Sequence, residues 1–92
     1  MSNQVTCINK DDRLNPYERI LRLGGRTPSG QNWNASQQEV IAYIESGKYS
    51  FHVNRGGNSV SLIVRLSPYN NKYVKTESDG QEPNNLLSLP EC

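Results

Sequence analysis

The sequence predicts an α+β fold, a single helix packed on a mainly antiparallel sheet of four to five strands, in the order ββαβββ. Three observations carry that prediction. Residues 36–47 show helical apolar spacing bounded by a start and a stop signal. Residues 49–66 alternate apolar and polar side chains on both sides of a glycine turn, the pattern of a hairpin. Hydrophobic content is only 34%, with seven glycines and many Asn and Ser, which points to turn-rich construction. With one helix available, a sheet with its apolar face under that helix is the economical architecture.

The elements follow in chain order. Gln4 to Lys10, with Val5, Thr6, Cys7 and Ile8, reads as a first strand. Asp11-Asp12-Arg13-Leu14-Asn15-Pro16 ends it, because Asn-Pro disfavours helix and the aspartates favour turns. Tyr17 to Leu23 is a second strand in which Tyr17, Arg19, Leu21 and Leu23 alternate with Glu18, Ile20 and Arg22. Both of its faces carry apolar groups, which suits a strand covered on two sides. Gly24-Gly25 closes it, and a polar loop with Pro28 and Gly30 leads to Trp33, a packing anchor near the helix start.

Ser36-Gln37-Gln38-Glu39 then forms a capping-box signature: the Ser36 hydroxyl accepts from the Glu39 N–H and the Glu39 carboxylate reaches back. Val40, Ile41 and Ile44 make one apolar stripe, and Gly47 stands where a left-handed residue ends a helix. In the hairpin, Tyr49, Phe51 and Val53 lead to a turn at Arg55-Gly56-Gly57-Asn58, and Val60, Leu62, Val64 and Leu66 return. A second turn at Pro68 to Asn71 introduces a last short strand, Lys72 to Thr76. No internal repeat or low-complexity tract stands out. The whole length, 1–92, fits one small domain.

Net charge is +1, which argues against a partner recognised by charge alone, but the charges are segregated. Lys48 to Thr76 has five basic residues and no acidic one, whereas 77–92 has four acidic residues and no basic one. That acidic segment ends in Leu86, Leu87 and Leu89, followed by Pro90 and Cys92. A disordered tail lacks large aliphatic residues, so these leucines are expected to dock on the body, covering Ile63 and the outer side of the second hairpin strand. A sharper version makes the tail a displaceable latch, with Glu77, Asp79 and Glu82 set against basic strand residues. Such surface pairs are each worth ~0–1 kcal/mol and are screened by salt.

No run approaches the ~18 apolar residues of a membrane span, and the polar start Met-Ser-Asn-Gln has no signal-peptide core. The expectation is a cytoplasmic protein with no membrane partner, and a reducing cytosol favours two free thiols at Cys7 and Cys92 over a bridge. Without a secretory signal, Asn34-Ala35-Ser36 carries no weight as a glycosylation site.

Catalytic chemistry has little to work with. Cys7, His52 and Cys92 are the soft ligands, and none is spaced as in a zinc motif; a site would need all three plus a carboxylate such as Asp11 or Asp12. A Cys92–His52 pair would require the chain terminus to hold a nucleophile rigid. No glycine-rich loop leads into a helix in the manner of a phosphate cradle. No residue is therefore assigned a catalytic, cofactor or metal role, and no cofactor is expected. The candidate working surface is a basic sheet face with an aromatic, made of His52, Arg55, Arg65, Lys72, Tyr73 and Lys75. Such a face serves some single-strand binders by tracking phosphates and stacking bases, and it is also what any solvated sheet face collects. The expected function is a non-enzymatic binding module with a protein partner, the alternative being a nucleic-acid binder.

Certain stretches also bear a family likeness. Ile8-Asn9-Lys10-Asp11-Asp12-Arg13, Tyr17-Glu18-Arg19-Ile20, Ile41 to Gly47, Phe51-His52-Val53, Lys72 to Thr76, Asp79-Gly80 and Pro83 to Cys92 resemble a family of small bacterial proteins, domain of unknown function 3892. The resemblance spans nearly the whole chain and is strongest in the closing segment. It implies a compact bacterial domain and supplies no activity, cofactor or site residue.

Overall fold

The computed structural model describes residues 2–11, 13–14, 18–55, 57–77 and 84–92, without the side chains of Arg55, Asn84 and Asn85. The order of elements is β1 (Ser2–Lys10), β2 (Ile20–Arg26), β3 (Asn32–Ser36), α1 (Gln37–Ser46), β4 (Ser50–Arg55), β5 (Asn58–Leu66), β6 (Lys72–Thr76) and α2 (Asn84–Leu87). The class is α+β, as the sequence implies. The sheet departs from the expected four to five strands: six strands run in the spatial order β3-β2-β1-β4-β5-β6. The additional strand is β3, in the stretch expected to be a loop. It pairs antiparallel with β2, from Arg22 opposite Ser36 to Arg26 opposite Asn32. Because α1 follows β3 directly, it carries the chain back over β2 and β1, and β4 enters parallel to β1 through Ser2–Gln4 and Ser50–His52. The sheet is therefore mixed.

Gly24-Gly25 lies inside β2 instead of ending it, and the reason is spatial. A Cβ on Gly25 would sit 1.8 Å from the Gln4 carbonyl oxygen, so only glycine fits there. The ladder slips between Val5 and Cys7 and again between Asn9 and Lys10. The first slip inserts Thr6 into β1 and the second inserts Leu21 into β2, two bulges that offset one another. Residues three apart, Val5 with Ile8 and Ile20 with Leu23, consequently all reach the core. The two-sided apolar pattern of this strand comes from the Leu21 bulge. Tyr17, the expected start of the strand, lies outside the described residues.

The helix is set by its own residues. Ser36 Oγ accepts from the Glu39 N–H at 3.1 Å, and Glu39 Oε1 accepts from the Ser36 N–H at 3.1 Å. Gly47 ends it in the left-handed region at φ 74°. Val40 and Ile41 are buried in the same core cluster as Leu23, Phe51, Val53, Leu62 and Val74. Gln37 ties the layers together: its Nε2 donates to the Ile20 carbonyl at 3.1 Å and its Oε1 accepts from the Val74 N–H at 3.1 Å. One amide thus bridges β2 and β6, which stand four places apart in the sheet, so the sheet curls until its far edge returns to α1. That edge is covered, with Tyr73, Val74, Lys75 and Thr76 all buried.

The closing segment lies against the body. Leu86 has no exposed surface, Leu87 and Leu89 pack half-buried against the core, and α2 touches β6 and β1. The last residues run beside β1: the Ile8 N–H donates to the Pro90 carbonyl at 3.0 Å and the Cys92 N–H to the Ile8 carbonyl at 3.1 Å. They occupy the side of β1 that β4 uses only at Ser2–Gln4. Cys7 and Cys92 form a disulfide, not the two free thiols expected. Docking brings their Cα atoms to 5.0 Å, within bridging range, a proximity invisible from a sequence separation of 85.

Candidate functional site

The register places most of the sequence-nominated surface on one face. His52 stands opposite Ser61, Ile63 opposite Lys75 and Arg65 opposite Tyr73. Burial changes what that face offers. Tyr73 and Lys75 are only 3% and 5% exposed, and Lys75 Nζ donates to the Thr76 carbonyl at 2.7 Å. Neither can present a ring or an ammonium to a base. His52 is half-buried with Nδ1 2.6 Å from Ser2 Oγ. Lys72 belongs to the opposite face and pairs with Glu45 at 2.7 Å. Arg65 is exposed, and the Arg55 side chain lies outside the described residues. Among the latch acids, Glu77 is exposed, while Asp79 and Glu82 lie outside the described residues.

A different place has the shape of a site. A cleft of about 710 Å³ opens between the first turns of α1, the start of β2 and the β5–β6 loop. The loop displays its residues through a local device: Ser67 Oγ accepts from the N–H groups of Tyr69 and Asn71, and Asn70 adopts φ 64°. Asn71 Nδ2 then donates to Glu18 Oε1 at 2.8 Å across the mouth. Ile20 and Ile41 form the floor and Leu21, 47% exposed because the bulge turns it outward, forms a lip. Gln37, Gln38, Asn70, Asn71, Glu18 and Lys72 supply the polar lining. The geometry sets neutral amides around an apolar patch, with one acid and one base at the margin.

Among the described residues that line the cleft none is histidine or cysteine, and Glu18, the one carboxylate of that lining, is joined there by a single base, Lys72, which is paired with Glu45. Ser2 and His52 are within nucleophile–base distance of each other but lie outside the cleft. Among the described residues, no three His, Cys, Asp or Glu side chains converge as metal ligands. The shifted titrations have local structural causes. The Ser36 backbone N–H holds the Glu39 carboxyl below its ordinary value, and the Arg13 guanidinium does the same for Asp11. A smaller hollow of about 200 Å³ lies at the other end of α1, where Lys48 Nζ stands 5.8 Å and 5.7 Å from the ring centres of Tyr43 and Tyr49.

Lys72 alone of the sequence-nominated surface residues lines the larger cleft. In the sequence, Gln37 and Gln38 signal only part of a helix cap. Asn70 and Asn71 sat in a turn whose chemistry was legible, but nothing in the spacing shows that the sheet curls and brings this loop to β2. A usable signal did exist in the chain. Thr27-Pro28-Ser29-Gly30-Gln31 and Ser67-Pro68-Tyr69-Asn70-Asn71 follow one plan, with a hydroxyl first, proline second and a positive-φ residue fourth. Both close a hairpin. Matching the two loops would have revealed β3.

Compared with known families, residues 4–90 match the model described as Protein of unknown function (DUF3892). Searches of curated proteins and of solved structures returned no match.

Proposed function

The chain belongs to this family of unknown function, and from that premise we propose that it is a non-enzymatic binding module whose cleft takes a short extended segment of a partner protein. The observation that carries the reading is the cleft's chemistry. Side-chain amides both donate and accept, as an extended peptide backbone requires, and the Ile20–Leu21–Ile41 patch suits an apolar side chain of the ligand. Gln37 and Asn71 are already held by Ile20, Val74 and Glu18, so the walls need little ordering when a ligand arrives. The exposed Leu21 is an apolar contact that the domain's own packing leaves in solvent. Burial of Tyr73 and Lys75 favours this reading over the nucleic-acid alternative, which called on both side chains at the surface.

The test is a peptide-display selection on the intact protein, followed by amide chemical-shift mapping of the selected peptides. Peptides with micromolar Kd are expected to shift Leu21, Gln38 and Asn71, and Leu21→Ser should weaken them about tenfold, the loss expected of one apolar contact. Selected peptides that shift only residues elsewhere, or a selection that yields none, would overturn the reading. Tight, salt-dependent binding of single-stranded oligonucleotides would return the basic face to consideration.

A further inference from the structure

We propose that the Cys7–Cys92 disulfide is a site of thiol–disulfide exchange with an external dithiol, and that its reduction releases the closing segment from β1. The site is separate from the cleft, and nothing in the binding proposal depends on it. Its location is the first support. Cys7 follows the strand alternation onto the face opposite Ile8, and so opposite the core. There the bridge lies flat on Gly24, where a Cβ would stand 3.0 Å from each sulfur. Glycine at this position lets the bridge rest on the backbone of β2. Cys92 is exposed as a residue, whereas Cys7 is half-buried. The more open residue is the one at which the exchange is written, with the incoming thiolate attacking at Cys92.

The exchange balances without any further reactant. One thiolate of the dithiol attacks Cys92 Sγ, the S–S bond breaks, and Cys7 leaves as a thiolate that takes up a proton. The second thiol of the reagent then displaces Cys92 from the mixed disulfide. The reagent departs as its own disulfide, and the protein has gained two electrons and two protons as two thiols.

The second support is how the segment is otherwise held. Its backbone-to-backbone bonds to β1 among the described residues are those at Pro90 and Cys92, both to Ile8 and both next to the bridge, while upstream the Leu87 carbonyl accepts from Lys10 Nζ at 3.3 Å. Pro90, Glu91 and Cys92 are exposed, so water competes directly for those bonds once the covalent link opens. Upstream, Leu86 is fully buried, and its side chain keeps α2 near the core. Reduction thus acts on the final residues first. It uncovers the Ile8 N–H and C=O on a side of β1 that β4 does not reach, leaving a strand edge able to pair.

Hydrogen exchange on the full chain with and without dithiothreitol tests this. In the oxidised protein the amides of Ile8 and Cys92 should be protected. On reduction their exchange should rise about tenfold or more beyond that of Val40, Ile41 and Phe51, which follow the stability of the whole fold, the pattern of local opening. Cys92→Ser should give the reduced pattern with no reductant present. Three results would each overturn the proposal: a bridge that dithiothreitol leaves intact, unchanged protection at Ile8 and Cys92 after reduction, or acceleration of all amides together. The last would make the bridge a staple of the whole fold.

Discussion

The helix α1 and the closing segment both end up packed on the same sheet, yet they are specified in opposite ways. Everything that starts and stops α1 lies within 36–47: the reciprocal Ser36–Glu39 bonds, the stripe of Val40 and Ile41, and Gly47. The closing segment has only a four-residue helix of its own, too short to stand alone. It is held by Ile8, by Lys10 Nζ on the Leu87 carbonyl, by the core around Leu86, and by a cysteine 85 positions away. The comparison teaches that local determination makes an element tolerant, because each contribution is small and separable. Non-local determination makes one coupled, because each of its contacts belongs to the core as well.

Breaking the coupled region should therefore give the largest effects. Leu86 is fully enclosed, and Leu86→Ala leaves a cavity that should lower unfolding free energy by about 3 kcal/mol in a denaturant titration. An unchanged midpoint would mean the segment contributes nothing to the core. Cys92→Ser comes next, at about 2 kcal/mol. Closing so long a loop would constrain the unfolded chain by more than that, but the bridge also orders exposed terminal residues, which offsets part of the gain. The two variants share one segment, so their double mutant should lose less than the sum of the single losses. Strict additivity would show that the leucine and the bridge act on separate units.

The same contrast explains what the sequence made legible. The α1 boundaries, the β4–β5 hairpin and the α+β class rest on contacts between near neighbours, and their residues announce them. The β1–β2 pair is legible as two strands, expected at 4–10 and 17–23 and found at Ser2–Lys10 and Ile20–Arg26, but its register is not, because two bulges break the alternation: Val5 and Ile8 are three apart, as are Ile20 and Leu23. A glycine pair that ordinarily signals a turn is instead required by the Gln4 carbonyl and the disulfide. In β3 the apolar residues are just Trp33 and Ala35, too few to mark a strand, though Trp33 packs on Phe51 at 5.1 Å and donates to the Gln4 carbonyl. The cleft was the least legible feature. It depends on the curl that brings β6 to Gln37, and curvature is a property of the assembled sheet. The sequence offers Lys72 as part of a basic sheet face, whereas its place in the cleft comes from that curl.

For α1 the expected effects are smaller. Ser36→Ala removes one cap and should cost about 1 kcal/mol, with circular dichroism still showing the helix. A loss of several kcal/mol would show that α1 depends on its first turn for tertiary reasons, through the neighbouring Gln37 bridge. Gln37→Leu separates the cases, since it keeps the cap while breaking the β2–β6 link.

The smallest effect is that of pH on the capping box. Glu39 is fully exposed, and the Ser36 backbone N–H is the main reason its carboxyl lies below the ordinary value of 4.5. A carboxyl whose pKa is lower folded than unfolded binds fewer protons in the native state. Its contribution is therefore complete above 4.5 and is lost as pH falls through the lowered folded value. Acid should thus fray the first turn of α1 before it touches the closing segment, which is held by apolar packing, the disulfide, the backbone bonds to Ile8 and Lys10 Nζ on the Leu87 carbonyl. Amide shifts followed from pH 6 to pH 3 should move Ser36 and Glu39 together while Ile8 and Cys92 hold still, and Glu39→Gln should flatten the response at Ser36. Movement of Cys92 in step with Ser36 would mean the helix start and the closing segment open as one unit, and the contrast between local and non-local control would fail at its weakest point.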